Sequence, residues 1–178
     1  LDGNLQWENE YVPDEYYENF GVTINVDARG NAVISGTNTE ESITTLSYNA
    51  IGKEQWVHTE MLSDVADIYP THQLLDNNDN IIVVHSAGES NIYKYQSDGA
   101  QLWHRSFKSP QFSDNQLYAM TTDKQGNIYV TGRCNENKQN DFYTIKYNSA
   151  GEELWHTRYD GDSHRDDVPV AITVDEKN

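Results

Sequence analysis

“YNSAGEELW”, Tyr147 to Trp155, is one of three near-copies of a single phrase: “YNAIGKEQW” runs from Tyr48 to Trp56 and “YQSDGAQLW” from Tyr95 to Trp103. Each reads Tyr, three residues, Gly, three residues, Trp. The four tryptophans of the chain, Trp7, Trp56, Trp103 and Trp155, recur at intervals of 49, 47 and 52. A period of that size marks a solenoid, a propeller or an array, in which each repeat buries its apolar faces against its neighbours. The position 20 after every Trp is aspartate (Asp27, Asp76, Asp123, Asp175), and the position 11 after it is acidic (Glu18, Asp67, Asp114, Asp166). Length varies only between that aspartate and the next Tyr, with spacings of 21, 19 and 24, so one loop per unit takes the insertions.

The segments between these landmarks read as strands. “NAVISG” (Asn31 to Gly36), “NIIVVHS” (Asn80 to Ser86) and “NIYVTG” (Asn127 to Gly132) are short and rich in β-branched residues. Each follows a turn, “DARGN”, “DNNDN” or “DKQGN”, whose Gly or Asp before Asn suits a positive φ in a tight hairpin. “DFYTIKY” and “ITTLSY” alternate with period two. The Gly of the Tyr-x3-Gly-x3-Trp phrase then turns the chain into a strand that carries the Trp. Each unit of roughly 50 residues therefore supplies four strands and no long helix.

Four antiparallel strands at this period fit a propeller blade better than a solenoid coil. The expected fold class is all-β: a beta-propeller of four-stranded antiparallel blades, incomplete, with three full blades and one strand at each end. Residues 1–11 would be the trailing strand of a preceding blade, 12–61, 62–108 and 109–160 three complete blades, and 161–178 the leading strand of a further one. The recurring Tyr and Trp are assigned to packing between blades, where each ring buries roughly 150–250 Å². Because the ends fall inside units, the chain is expected to be a segment of a longer polypeptide. Its open blade faces would then be capped by the remaining blades of the same propeller or by a partner chain. Dimerisation of a self-contained array through those faces is the alternative.

Composition narrows the partners. Twelve Lys and Arg against 29 Asp and Glu leave a net charge of −17, which disfavours nucleic acid and anionic lipid. No apolar run approaches the roughly 20 residues that a membrane-spanning helix needs. The single cysteine, Cys134, cannot form an internal disulfide, so packing alone must hold the chain together.

The third unit, Asp-x2-Gly-Asn at Asp123 to Asn127, a strand ending at Gly132, and then “DFYTIKYNSAGEELWHTRYDG”, resembles the beta-propeller repeats of secreted bacterial proteins, often called SBBP repeats. The resemblance covers essentially the whole chain and is specific from Asp123 to Tyr159. The second unit departs from it, with Asp79 in place of the hairpin glycine. The resemblance implies a large exported or surface-anchored bacterial protein, with this chain secreted or at the cell surface. It supplies no catalytic residues.

Candidate sites are few. “DGDSHRDD” places Asp160, Asp162, Asp166 and Asp167 in one loop, and hard carboxylate oxygens are what calcium takes. Turn chemistry explains the same stretch without an ion, as it does “DNNDN” at Asp76, so the expected cofactor is none, with calcium as the variant. The acids at Trp plus 11 are expected to accept hydrogen bonds from backbone N–H groups. His104 and His156, each following its Trp, are expected in structural or solvent-facing roles. Cys134 is placed in the variable loop “RCNENKQND” (Arg133 to Asp141). That loop, with Asn135 and Lys138, and the exposed Tyr16 and Tyr17 of “DEYYENF” are the expected binding surface for a protein or glycan.

No HExxH, CxxC, GxSxG or phosphate-cradling glycine loop occurs. The expected function is a non-catalytic scaffold or recognition module. The alternatives are a lyase or hydrolase with a site on the propeller axis, or a part of a surface or secretion assembly.

Overall fold

The computed structural model describes residues 3–12, 19–38, 42–62, 69–87, 89–107, 113–136, 139–162 and 165–175. These form twelve strands and no helix. Sheet 1 holds β1 (Asn19–Val26), β2 (Ala32–Asn38), β3 (Ser42–Tyr48) and β4 (Glu54–Met61) in that order. Sheet 2 holds β5 (Tyr69–Leu75), β6 (Ile81–Ala87), β7 (Glu89–Tyr95) and β8 (Gln101–Phe107). Sheet 3 holds β9 (Ser113–Thr122), β10 (Ile128–Glu136), β11 (Gln139–Tyr147) and β12 (Glu153–Tyr159). Every pair is antiparallel between sequence neighbours.

The repeated aspartates close the first hairpin of each sheet in one way. Asp27 Oδ1 accepts from the N–H of Arg29 (2.9 Å) and Asn31 (2.8 Å), while Oδ2 accepts from Asn31 Nδ2 at 2.8 Å. Asp76 binds Asn78 and Asn80, and Asp123 binds Gln125 and Asn127, in the same pattern. A side chain that accepts from backbone N–H groups just ahead of it is what makes Asp a turn former. Gly30 and Gly126 hold φ of +83° and +77° in these turns, and Asp79 takes the equivalent position at +58°. The second hairpin thus keeps the geometry of the others without their glycine.

In the Tyr-x3-Gly-x3-Trp phrase, Gly52, Gly99 and Gly151 hold φ of +79°, +91° and +78°. Just beyond the turn, the register shifts. Tyr48 pairs with Glu54 but Ser47 with Trp56, so Gln55 is an extra residue; Leu102 and Leu154 repeat the bulge. Directly paired residues share a face, and one inserted residue reverses the alternation. The bulge therefore sends Tyr to one face of the sheet and Trp to the other.

Between sheets, Trp meets glycine. A Cβ built on Gly52 would lie 2.8 Å from the ring of Trp7, on Gly99 2.7 Å from Trp56, and on Gly151 2.7 Å from Trp103. Trp56 Nε1 donates to Ser97 O (3.2 Å) and Trp103 Nε1 to Ser149 O (3.1 Å). The second side chain after each Trp bonds the glycine carbonyl: Asn9 to Gly52, His58 to Gly99 at 2.6 Å, and Arg105 to Gly151 at 2.7 Å. The motif Tyr lies beneath, with Trp7 and Tyr48 centred 5.8 Å apart and Trp56 and Tyr95 6.4 Å apart. The Tyr and Trp thus pack between sheets, as their regular recurrence leads one to expect.

Sheet 2 is covered on both faces. Ile81 and Val83 join Tyr93 and Tyr95 in a cluster facing sheet 1, while Ile82 and Val84 join Ile128, Val130 and Ile145 facing sheet 3. That two-sided burial is why β6 reads as an unbroken apolar run. The first strands also meet, β5 lying against β1 on one side and β9 on the other.

Two details differ from the sequence reading. The variable loop expected at Arg133 to Asp141 is mostly strand: Arg133, Cys134 and Asn135 pair with Phe142, Asp141 and Asn140, and Cys134 is fully buried. Polar residues hid the strand: its buried side chains include Asp141, paired to Arg158, and only Cys134 is apolar, so the stretch lacks the apolar alternation of a strand. The end segments expected as single strands form no ladder among the described residues, since an isolated strand lacks the partner that would satisfy its backbone groups.

Candidate functional site

Three places gather polar groups. The largest is a groove of about 350 Å³ between sheets 2 and 3, lined by Asp76, Asn78, Lys94, Lys124, Gln125 and Ser149. Strand β7 aims Lys94 into it, because Lys94 alternates with Tyr93 and Tyr95, which face sheet 1. Lys94 Nζ lies 2.8 Å from Asp76 Oδ2, both side chains almost wholly buried, and 3.4 Å from Ser149 O. Burial pushes the Asp76 carboxyl up, but Lys94, Asn80 and the N–H groups of Asn78 and Asn80 outweigh it and hold the acid below its ordinary range. The groove has the volume of a ligand pocket, yet its walls are polar and its central charge pair is internally satisfied.

A smaller cleft of about 70 Å³ lies between sheets 1 and 2, lined by Thr45, His58, Glu60, His85, Tyr93 and Tyr95. His85, 1% exposed, has no hydrogen-bond partner at either ring nitrogen among the described residues. It stacks on Tyr93 at 5.6 Å, and Tyr93 on His104 at 4.2 Å. Burial, reinforced by His104, brings the His85 pKa down to about 4, so the ring is neutral at pH 7. Burial and then Glu60 push Tyr93 up to about 12. Since one water needs roughly 10–15 Å³, the cleft has room for a few waters and not for a sugar ring.

The third place is acidic. Oxygens of Asp141, Asp160 and Asp167 lie within 4.8 Å of one another. Arg158 donates to Asp141 Oδ2 from Nε (2.9 Å) and Nη2 (2.5 Å) and sits 3.5 Å from Asp160 Oδ2. Asp167 Oδ2 accepts from Gly161 N at 2.8 Å. Asp166 points elsewhere, accepting from Asn140 N (3.0 Å) and Nδ2 (3.1 Å), and the backbone bond of Asn140 leads in lowering its pKa. Asp162 is exposed and outside the trio.

Of the four residues expected as calcium ligands, then, Asp160 and Asp167 come together, joined by Asp141. An acid opening the apolar strand “DFYTIKY” was the available signal for Asp141. Calcium would suit three carboxylates, but Arg158 already supplies positive charge there. Asp166 does what an acid at Trp plus 11 was expected to do, and it is the one of those four acids whose side chain is described.

Tyr16, Tyr17 and Lys138 lie outside the described residues. Asn135 bridges its own hairpin, donating from Nδ2 to Asn140 Oδ1 at 3.0 Å. His104 and His156 are both exposed, His104 stacking on its cross-strand partner Tyr93 and His156 on Tyr143, two residues before its own partner Ile145.

No protein-family profile matches the chain, and no curated protein matches it. Among solved structures it is similar to a protein of unknown function from Bacteroides caccae, crystallised at 1.35 Å resolution, with 13% identity and a TM-score of 0.45. The match covers 83% of this chain and spans 63% of that structure's length.

Proposed function

We propose that this chain is a run of propeller blades of the SBBP type within a larger secreted or cell-surface bacterial protein. In this reading it serves as a non-catalytic scaffold that presents a recognition surface for a protein or glycan. One observation carries the reading: two Trp–Gly joints couple sheet 1 to sheet 2 and sheet 2 to sheet 3 in the same way, a third seats Trp7 on sheet 1 alike, and β1, β5 and β9 stand side by side. Sheets so joined fan out from their first strands, which is how blades are arranged about an axis. The hairpins that differ between units, such as 133–141, are then free to vary without disturbing the joints.

Binding of the folded chain to arrayed bacterial polysaccharides and surface proteins tests this. The expected result is a bound species whose signal is lost on combining Glu136→Ala with Lys138→Ala, the buried Cys134 and Asp141 being kept, with the melting temperature unchanged. The runner-up reading is an enzyme of the lyase or hydrolase class with a site on the propeller axis, and the cleft at His85, too small for a sugar ring, does not supply that site. Polysaccharide turnover by the folded chain would overturn the scaffold in favour of that enzyme.

A further inference from the structure

The joint that couples successive sheets has two halves. The donor half is a Trp and the second side chain after it. The acceptor half is a glycine turn whose missing Cβ admits the indole and whose carbonyls take the hydrogen bonds. The described residues show both halves meeting at Trp7 with Gly52, Trp56 with Gly99 and Trp103 with Gly151.

A fourth donor half stands uncovered. Trp155 follows the same bulge as Trp56 and Trp103, yet it is 43% exposed, and its ring contact among the described residues is with Tyr129 of its own sheet, at 6.1 Å between centres. Thr157 carries a hydroxyl where Asn9, His58 and Arg105 carry their donors, and it is exposed. Leu154 and Tyr159 flank them, and the residues of β12 are exposed, although Arg158 reaches back to Asp141. The outer strands of sheets 1 and 2 hold their Trp against the next sheet's glycine; among the described residues β12 meets no such turn.

We infer that this edge of sheet 3 binds the glycine turn of a further unit of the same repeat, lying C-terminal to this chain in its polypeptide. The chemistry required is narrow. The partner must offer a left-handed glycine with no Cβ over the indole. It must also offer the carbonyl second before that glycine for Trp155 Nε1, and the glycine carbonyl for Thr157 Oγ1. A second copy of this chain does not meet it, because Gly52, Gly99 and Gly151 are each already filled by a Trp of their own chain. In sequence number the glycine lies 45 beyond Trp7, 43 beyond Trp56 and 48 beyond Trp103, which puts the fourth glycine at a like distance beyond Trp155. The inference rests on the fanned-sheet reading above for its direction, but on the joint alone for its chemistry.

Two measurements test it. In the first, residues 126–160 are repeated after Lys177, in register with the third unit, so that the extended chain supplies its own fourth glycine turn. Acrylamide quenching assigned to Trp155 by a Trp155→Phe comparison is expected to be roughly halved as its exposed surface is covered. A valine at the appended turn's glycine is expected to restore the original quenching. Unchanged quenching in the extended chain would falsify the joint. Burial of Trp155 in the unextended chain by a dimer that reverses on dilution would overturn the repeat unit in favour of a second copy.

The second measurement needs no folding. Peptide sequencing of the natural polypeptide is expected to find a further Tyr-x3-Gly-x3-Trp whose glycine follows Trp155 at the spacing of the other three joints, and its absence sinks the inference. Small-angle scattering of the extended chain separates the two ideas: a buried Trp155 with a shape that is not a fan would overturn the propeller reading and leave the joint standing.

Discussion

At Gly99, as at Gly52 and Gly151, two requirements coincide that only glycine meets. Its φ of +91° is costly for any side chain, and a Cβ there would lie 2.7 Å from the Trp56 ring. Gly30 shares the first constraint but not the second, since its Cβ would meet only Ala50 Cβ at 3.3 Å. Gly99→Ala is therefore expected to cost about 2–4 kcal/mol and Gly30→Ala about 1 kcal/mol, the difference being the displaced indole. Urea unfolding of both variants measures this, and equal losses would mean that the joint contributes nothing beyond backbone strain. The sequence showed that Gly and Trp recur at regular distance. It could not show that the glycine of one unit receives the tryptophan of the unit before, because no local pattern encodes which distant ring fills the space.

Within strands, β7 places Lys94 where its neighbours Ile92, Tyr93 and Tyr95 are apolar and buried. The charge survives because Asp76, at the start of the β5–β6 hairpin, lies 2.8 Å away. Removing one member of a buried pair leaves an uncompensated charge, while removing both leaves apolar packing. Asp76→Asn is expected to destabilise by about 3 kcal/mol, and adding Lys94→Met to recover at least half of that, a double-mutant cycle by thermal melting being the check. A recovery of nothing would show that the loss lay in the turn bonds to Asn78 and Asn80. The equivalent strands “ITTLSY” and “DFYTIKY” were legible from their period-two alternation, and β7 takes the same place in its unit. That the lysine would meet the repeated aspartate was not legible, since turn chemistry alone accounts for the aspartate in all three hairpins. The bulges before Trp56, Trp103 and Trp155 were equally hidden, for an inserted residue leaves no mark in composition.

Over the whole molecule, protons couple to the fold through two sets of groups. His85 has a folded pKa of about 4 against an ordinary value near 6.5. Its neutral burial therefore contributes fully above pH 6.5, and the contribution is lost progressively as pH falls towards 4, about 3 kcal/mol in all. Asp27, Asp76 and Asp123, held below their ordinary range by hydrogen bonds that outweigh burial, contribute above about pH 4 and lose it below. The net charge of −17 acts the other way, since protonating surface acids relieves repulsion. His85→Phe isolates the first effect: relative to the parent, its stability between pH 6.5 and 4.5 is expected to fall less steeply, and parallel curves would rule out a buried neutral histidine. By itself the sequence determined the repeat, the four strands per unit, the turns and the role of the recurring Tyr and Trp in packing between units. These follow from local periodicity and from residues whose backbone or side chain admits few alternatives. Only the tertiary structure decided which glycine meets which tryptophan, that Lys94 finds Asp76, that Asp141 joins Asp160 and Asp167, and that the His85 ring nitrogens are buried without hydrogen bonds. Those outcomes depend on the approach of separate strands and sheets, and contacts between residues distant in sequence are set by packing that no local stretch contains.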